Sequence, residues 1–296
     1  GDILCILRHV NYTLVHAENT QKFPSRWGPL SYLHPEKDQT LRTTNYLCRL
    51  NEDMQVTDYC LIDTSKLDVA PLWEFIGEED CRLVQWDGKY YAIGVRRDTT
   101  TTGIGRMELS EIEIDKDNFS AKEVSRVRIP APGEDTSYCE KNWMPILDKA
   151  FHFVKWTMPT EVVKAYPNEP KCDSLFVKDG FKTNSDQRGG SHVVPWGDYY
   201  IAVTHEVRLF KNYLKQKDGI YRHRLVVWDK DFNIVGVSPK EFSFLDARIE
   251  FSAGAAVYKE DLLISFGFQD NAAFILRVPQ NLLETMIKEA IAHVSN

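Results

Sequence analysis

The chain has 296 residues, of which 43% are hydrophobic and 27% charged, the composition of a globular protein and not of a disordered or fibrous one. Its formal net charge is −7 and its basic runs, Arg96-Arg97 and Arg222-His223-Arg224, are short, so it lacks the basic face that nucleic-acid binding needs. No apolar stretch approaches the ~20 residues of a membrane-spanning helix, and six scattered cysteines with no CxxC pair and no local Cys/His cluster argue against zinc and for reduced, largely buried thiols.

The chain opens on an apolar strand, Ile3-Leu4-Cys5-Ile6-Leu7, and no signal segment is visible among its residues. A cytoplasmic location is therefore expected, and the abrupt start leads to the expectation that the chain is excised from a larger multi-domain protein.

Four later segments look alike: Arg82–Val95, Met144–Lys155, Val193–Thr204 and Ala255–Phe266. Each reads as a short strand, a tight polar turn such as Asp87-Gly88, and a second strand rich in aromatic or β-branched residues, which is the signature of a hairpin. Recurrence at roughly 50–60 residues across most of the chain suggests radially repeated sheets of about four strands. A diverged fifth copy begins near Leu41 and borrows the N-terminal strand to close the ring. Outer hairpins fall at Ser110–Ile114 and Leu225–Trp228. Their Asp-Lys-Asp turns, at Asp115 and Asp229, read as turn chemistry and not as a metal-binding Asp-x-Asp. The last stretch, Asn281–His293, carries Leu282, Leu283, Met286, Ile287, Ala290 and Ile291 at helical spacing. The predicted fold is all-β: a five-bladed β-propeller in one domain, 1–296, with blades over about 1–70, 71–135, 136–180, 181–245 and 246–280 and a C-terminal amphipathic helix over 281–293.

Polar residues stand at the start of each copy: Arg42 and Asn45, then Glu79, Asp80 and Arg82, then Lys141, Asn142 and Trp143, then Arg188, then Glu250. The first strand of a propeller blade lies nearest the axis, so these residues share one end of a central funnel. A second ring follows the second strands: Arg97, Lys155-Trp156, His205-Glu206 and Asp270. Sugar hydroxyls are both donors and acceptors, which such mixed side chains satisfy, and Tyr and Trp faces stack on the apolar face of a sugar ring. The competing structural readings are a Glu79–Arg82 ion pair at a blade junction, a solvated Glu140–Lys141 pair, a surface turn at Arg188, a satisfied core histidine at 205 and a turn cap at Asp270.

Glu79-Asp80-Cys81-Arg82-Leu83 followed by Asp87-Gly88-Lys89-Tyr90-Tyr91 resembles the Glu-Asp-Pro-Arg-Ile…Asp-Gly-x-Tyr-Tyr segment of glycoside hydrolase family 130, the β-mannoside phosphorylases and hydrolases. His205 after an apolar strand and Ser265-Phe-Gly-Phe-Gln-Asp270 are similar to two further segments of that family, and the resemblance runs from about residue 40 to 275. It implies a five-bladed propeller that acts by inversion on a mannoside-like linkage in an oligosaccharide or glycan. It also implies Asp80 as general acid, with Glu79 beside it. Arg82, Lys141 and His205 would hold an anionic group, and Asp270 the donor sugar. Inorganic phosphate or a sugar phosphate would be co-substrate, with no other cofactor and no metal. The set Lys141, Arg188 and His205 forms the candidate anion site. Arg42, Asn45, Arg82, Arg97, Asn142, Trp143, Glu206, Glu250 and Asp270 are the candidate sugar-binding residues. The sequence departs from the family at Cys81, where the motif has proline, and at Lys155-Trp156, where an arginine for phosphate is expected. Phosphorolysis, hydrolysis with Glu206 or Glu250 as base, transfer from a nucleotide-sugar, and catalytically silent glycan binding all fit this pattern.

Overall fold

A computed structural model of the chain describes residues 3–15, 31–33, 40–183, 186–211 and 217–295. Residues 16–30 and 34–39 of the first predicted blade therefore lie outside the described residues.

The strands fall into antiparallel groups that follow one another along the chain. The first contains β1 (Ile3–Val10), β4 (Leu41–Leu50) and β5 (Val56–Asp63), with a ribbon of β2 (Thr13–Val15) and β3 (Ser31–Leu33) inserted between β1 and β4. A short β6 (Phe75–Ile76) pairs with the start of β4. The second group is β7 (Glu78–Trp86), β8 (Lys89–Arg96), β9 (Arg106–Asp115) and β10 (Ser120–Arg128), and β10 touches β5 in parallel at Ile62 and Asp63. The third is β11 (Met144–Pro145), β12 (His152–Trp156), β13 (Thr160–Ala165) and β14 (Cys172–Lys178). The fourth is β15 (Gln187–Arg188), β16 (Val194–Trp196), β17 (Tyr199–Lys211), β18 (Lys217–Trp228) and β19 (Ile234–Val237). The fifth is β20 (Glu250–Tyr258), β21 (Asp261–Phe268) and β22 (Ala272–Val278), followed by helix α1 (Gln280–Ser295).

What the core shows is that these sheets form a ring. Leu47 and Ile62 of the first sheet pack on Ala92, Ile112 and Ala121 of the second. Ile93 and Leu109 of the second meet Phe153 and Val163 of the third. Ile146 and Val162 of the third meet Tyr200, Val226 and Trp228 of the fourth, and Val203 and Leu225 of the fourth meet Ala255 and Ile264 of the fifth. Tyr12, Leu41 and Ile249 join the fifth sheet back to the first. Each inner sheet is therefore covered on both faces. This explains why β8 and β17 carry continuous apolar runs, Tyr91–Val95 and Tyr200–Val203, and not alternating ones. The architecture is an all-β propeller with a C-terminal amphipathic helix. Leu283, Ile287 and Ala290 form the buried stripe of that helix and pack on β18, β19 and β21.

The four predicted hairpins pair as β7–β8, β11–β12, β16–β17 and β20–β21. In the first, Asp87 (φ 51°) and Gly88 (φ 78°) both have left-handed backbone, as a two-residue turn of this hand requires. Asp115 accepts from the backbone N–H groups of Asp117 and Asn118, and Asp229 from those of Asp231 and Asn233, so both Asp-Lys-Asp segments are side-chain-closed turns. All six cysteines are free, Cys48 and Cys81 buried and the others half-buried.

Candidate functional site

Where the sheet ends converge on the axis there is a cavity of about 360 Å³. It is lined by Arg8, Tyr12 and Phe75 from the first sheet, Glu79, Asp80 and Arg97 from the second, Tyr138, Lys141 and Asn142 from the third, Arg188, His205 and Tyr221 from the fourth, and Ile249, Phe251 and Asp270 from the fifth. Eight of the fifteen, Glu79, Asp80, Arg97, Lys141, Asn142, Arg188, His205 and Asp270, are residues the sequence singles out.

Three of them reach the cavity through unusual backbone. Asp80, Asn142 and Asp270 have φ of 54°, 62° and 52°, a left-handed conformation that Asp and Asn tolerate better than other L-residues. Asp80 sits in a β-bulge, since pairing of β7 with β8 jumps from Glu79 to Arg82. A bulge bends its strand and re-aims a side chain.

The acidic side of the cavity holds Asp80, Glu79 and Asp270. Arg8 stands among them, a residue outside the span of the family resemblance: Nη1 donates to Asp80 Oδ1 at 2.8 Å, Nη2 to the Tyr12 hydroxyl at 2.9 Å, Nε to Thr43 Oγ1 at 3.3 Å, and Glu79 Oε2 lies 3.7 Å away. Burial pushes the Glu79 carboxyl above the ordinary carboxylate range, against the pull of Arg8, and burial raises Asp270 in the same way. On the basic side, desolvation by the funnel wall disfavours the Lys141 ammonium. Tyr221, Cys139, Asp80 and Glu79 more than offset it, so Lys141 stays charged above the ordinary lysine value. Arg97 lies between Phe75 and Tyr138, 5.1 and 5.3 Å from their ring centroids, and donates to the Tyr138 hydroxyl at 2.8 Å. Arg188 is partly exposed and pairs with Asp186 at 3.1 Å. His205 is buried, stacked on Tyr221 with centroids 5.5 Å apart and edge-on to Phe251. Burial, then His223 and Lys141, hold its imidazole neutral. His205 Nδ1 and Asn142 Oδ1 are buried at the wall without a hydrogen-bond partner.

The remaining expected site residues lie outside the lining, and each has a structural occupation. Arg42 and Asn45 are displaced because β1, not β4, takes the inner place in the first sheet; Arg42 is exposed, and the Asn45 amide donates to Glu78 O and Cys81 Sγ. Trp143 is 1% exposed in the core and donates to Glu140 Oε2. Arg82 crosses the axis: Nε and Nη2 donate to Gly190 O at 2.9 and 2.7 Å, and Nη1 donates to Asp80 O. Glu206 accepts from Gln187 and Arg208. Glu250 is fully buried and accepts from the backbone N–H groups of Phe244, Leu245 and Ala247, so it fastens a loop. Lys155 pairs with Glu161 at 3.1 Å.

Sequence reasoning passed over Arg8, Tyr12 and Tyr138. The signal for Arg8 was the N-terminal strand itself: β1 pairs with β4 over its whole length, from Ile3↔Leu50 to Val10↔Thr43, and that places Arg8 opposite Asn45.

Beneath the cavity, His192 ties three sheets together. Its Nε2 lies 3.1 Å from Leu83 O and its Nδ1 accepts from the Ala255 N–H at 2.9 Å, which fixes a neutral Nε2–H tautomer. Burial and then Arg82 push its pKa down to about 3, against 6.5 ordinarily. The unfolded chain therefore takes a proton that the folded one refuses. The contribution of His192 to stability is whole above pH 6.5 and declines by about 1.4 kcal/mol per pH unit as the pH falls toward 3. In a nitrogen-15 NMR titration, the His192 ring is expected to keep its neutral Nε2–H signature at pH 5. An imidazolium signature there would overturn the three-sheet tie.

No family model matches the chain, and no curated protein sequence matches it. Solved structures do. A candidate glycoside hydrolase from Parabacteroides distasonis is 11% identical, with a TM-score of 0.60, over 92% of this chain and 87% of that one. A glycosyl hydrolase from Bacteroides ovatus is 9% identical, with a TM-score of 0.60, over 95% and 82%. The β-1,2-mannobiose phosphorylase of Listeria innocua, solved with β-1,2-mannobiose, is 10% identical, with a TM-score of 0.54, over 97% and 89%. The likeness is one of fold, and it is the fold that the family-130-like motifs imply.

Proposed function

We propose that the protein is a carbohydrate-active enzyme that makes or breaks a mannoside-like glycosidic bond in the axial cavity by inversion, with phosphate or a sugar phosphate as co-substrate. In this reading residues 1–296 form one domain, with one sheet to each blade. The observation that carries it is that one small cavity brings together three carboxyl groups, Asp80, Glu79 and Asp270, and the cations Arg8, Lys141, Arg97 and Arg188, with Tyr and Phe rings in the same lining. In the direction of phosphorolysis, a phosphate oxygen held by the cations attacks the anomeric carbon. The bond to the leaving oxygen breaks, and that oxygen takes the proton of Asp80, directly or through a sugar hydroxyl. Phosphate is already nucleophilic, so positioning replaces a second carboxylate base. The structural occupations of Glu206 and Glu250 favour this over hydrolysis with either as base.

A second reading, glycan binding without turnover, has one observation in its favour. Asp80 is already engaged by Arg8, and a carboxylate in that pair can accept hydrogen bonds from sugar hydroxyls at once, whereas acid catalysis requires it first to take up a proton. Incubation with manno-oligosaccharides and phosphate, and separately with GDP-mannose and acceptor sugars, tests the proposal. Release of a sugar 1-phosphate is expected in the first. Product in the second alone would make the protein a transferase. Binding of the oligosaccharide without product in either would establish the second reading.

A further inference from the structure

Behind the bulge that carries Asp80 lies a second polar cluster, closed off from the cavity. Glu78, Arg96, Asp98, Glu108 and Glu123 are each less than a tenth exposed. Arg96 Nε lies 2.9 Å from Glu108 Oε2 and Arg96 Nη1 3.6 Å from Asp98 Oδ2. Arg126 pairs with Glu123 and, at 3.8 Å, with Glu108, and Arg128 pairs with Glu108 at 3.2 Å. Arg106 belongs to Asp135 at the rim, and Asp68 meets Arg126 from the solvent side.

The inner cluster therefore sets four carboxyl groups, Glu78, Asp98, Glu108 and Glu123, against three guanidinium groups, Arg96, Arg126 and Arg128. Three of the acids have an arginine within 4.0 Å; Glu78 has no ion pair among the described residues, and its Oε1 is buried without a hydrogen-bond partner. A buried carboxylate left without a cation costs several kcal/mol, and the group neutralises instead.

We infer that Glu78 is held as a neutral carboxylic acid, and that in this state it is a positioning residue for the Glu79–Asp80 bulge. The connection to the bulge is direct. Glu78 O accepts from Asn45 Nδ2 at 2.9 Å and from Cys81 Sγ, so the residue before the bulge and the residue after Asp80 are joined through it. Its side chain packs over Gly94 of β8, where an added Cβ would meet Glu78 Cγ at 2.7 Å and Glu79 O at 2.6 Å, so the close approach of β8 to the bulge depends on glycine at that position. The groups that set its charge come from every strand behind it: Arg96 from β8, Glu108 from β9, Glu123 and Arg126 from β10, and Cys81 from its own strand. Burial, more than the neighbouring charges, pushes its pKa up to about 8. Ionisation above that pH puts an uncompensated charge in a closed space, and relief requires the side chain to leave, taking the bulge and Asp80 with it.

This inference rests on the proposed role of Asp80, so its test has one readout that does not. In infrared difference spectra of the full chain between pH 7 and pH 9.5, wild type is expected to lose a protonated-carboxyl C=O band that Glu78→Gln lacks from the start. Glu108→Gln, which restores the charge balance, is expected to shift loss of that band to lower pH; it also serves if Glu78→Gln does not fold. In the phosphorolysis assay, wild-type kcat is expected to fall about tenfold from pH 7 to pH 9, one unit past the ionisation. Glu78→Gln, neutral throughout, should fall less than twofold. Absence of the band overturns the neutral acid; a band with an equal alkaline fall in wild type and Glu78→Gln overturns the positioning role. Absence of wild-type turnover at every pH counts against the proposed function and, with it, the positioning role, while the band still decides the charge state of Glu78.

Discussion

Asp80→Asn is expected to lower phosphorolysis or its reversal by roughly 10²–10⁴-fold, the usual worth of a general acid, with little change in the affinity for the oligosaccharide. Asparagine keeps the shape of the side chain, tolerates the φ of 54° and offers the same oxygen to Arg8 Nη1. What it lacks is a proton to give to the leaving oxygen. The loss should therefore fall on kcat and not on KM, which is the mark of an interaction made only in the transition state. Steady-state kinetics on both proteins, with calorimetric binding of the oligosaccharide as control, would decide it. Equal turnover removes Asp80 from the role of acid. A parallel rise in KM would show that Asp80 chiefly grips the sugar, as the glycan-binding reading requires.

Gly190→Ala is expected to be among the most damaging single-methyl changes in the chain. A Cβ built on Gly190 would lie 2.2 Å from Val203 O and 3.4 Å from Ser252 O, and the first of these is backbone that cannot give way cheaply. Val203 O already accepts from the Ser191 N–H at 2.9 Å, and Gly190 O accepts both Nε and Nη2 of Arg82 from across the axis. Moving either strand breaks the pairing at the start of the fourth sheet and the Arg82 tie between the second and fourth sheets together. We expect a loss of about 3 kcal/mol or more, the range of overpacking combined with a broken buried network. Thermal unfolding should show it as a fall of roughly 5–10 °C. A midpoint within a degree of wild type would mean that the sheets are not held in the register described.

The Arg82 geometry also bears on how the motif Glu79-Asp80-Cys81-Arg82 is understood. Its arginine looks in sequence like a ligand-binding cation. In the fold Arg82 is 2% exposed, with its guanidinium donors spent on two backbone carbonyls, and burial lowers its pKa to about 10. One four-residue segment thus supplies a cavity acid and, two residues on, a staple beneath it. The bulge between them is what turns the two side chains in different directions.

The strands, their hairpins and the closing helix were legible in the residues alone, because they rest on local chemistry: Asp-Gly turns, side-chain-closed Asp turns, apolar runs and the spacing of Leu283, Ile287 and Ala290. The sequence also located much of the cavity, since the start of a repeated strand has the same place in every repeat; this is why Asp80, Asn142 and Arg188 were legible at sites so far apart in the chain. Which polar residues face the cavity and which hold it up was not legible in the sequence, because it is settled by long-range packing. Glu250 and Arg82 stand at the expected positions yet spend their hydrogen bonds on backbone, and Arg8 enters from a strand with no motif of its own. The reason is geometric. Whether β1 or β4 is innermost depends on long-range pairing, which shifts every side chain of the first sheet relative to the axis. Whether a charged side chain binds ligand or scaffold depends on partners more than a hundred residues away, as Gly190 is from Arg82.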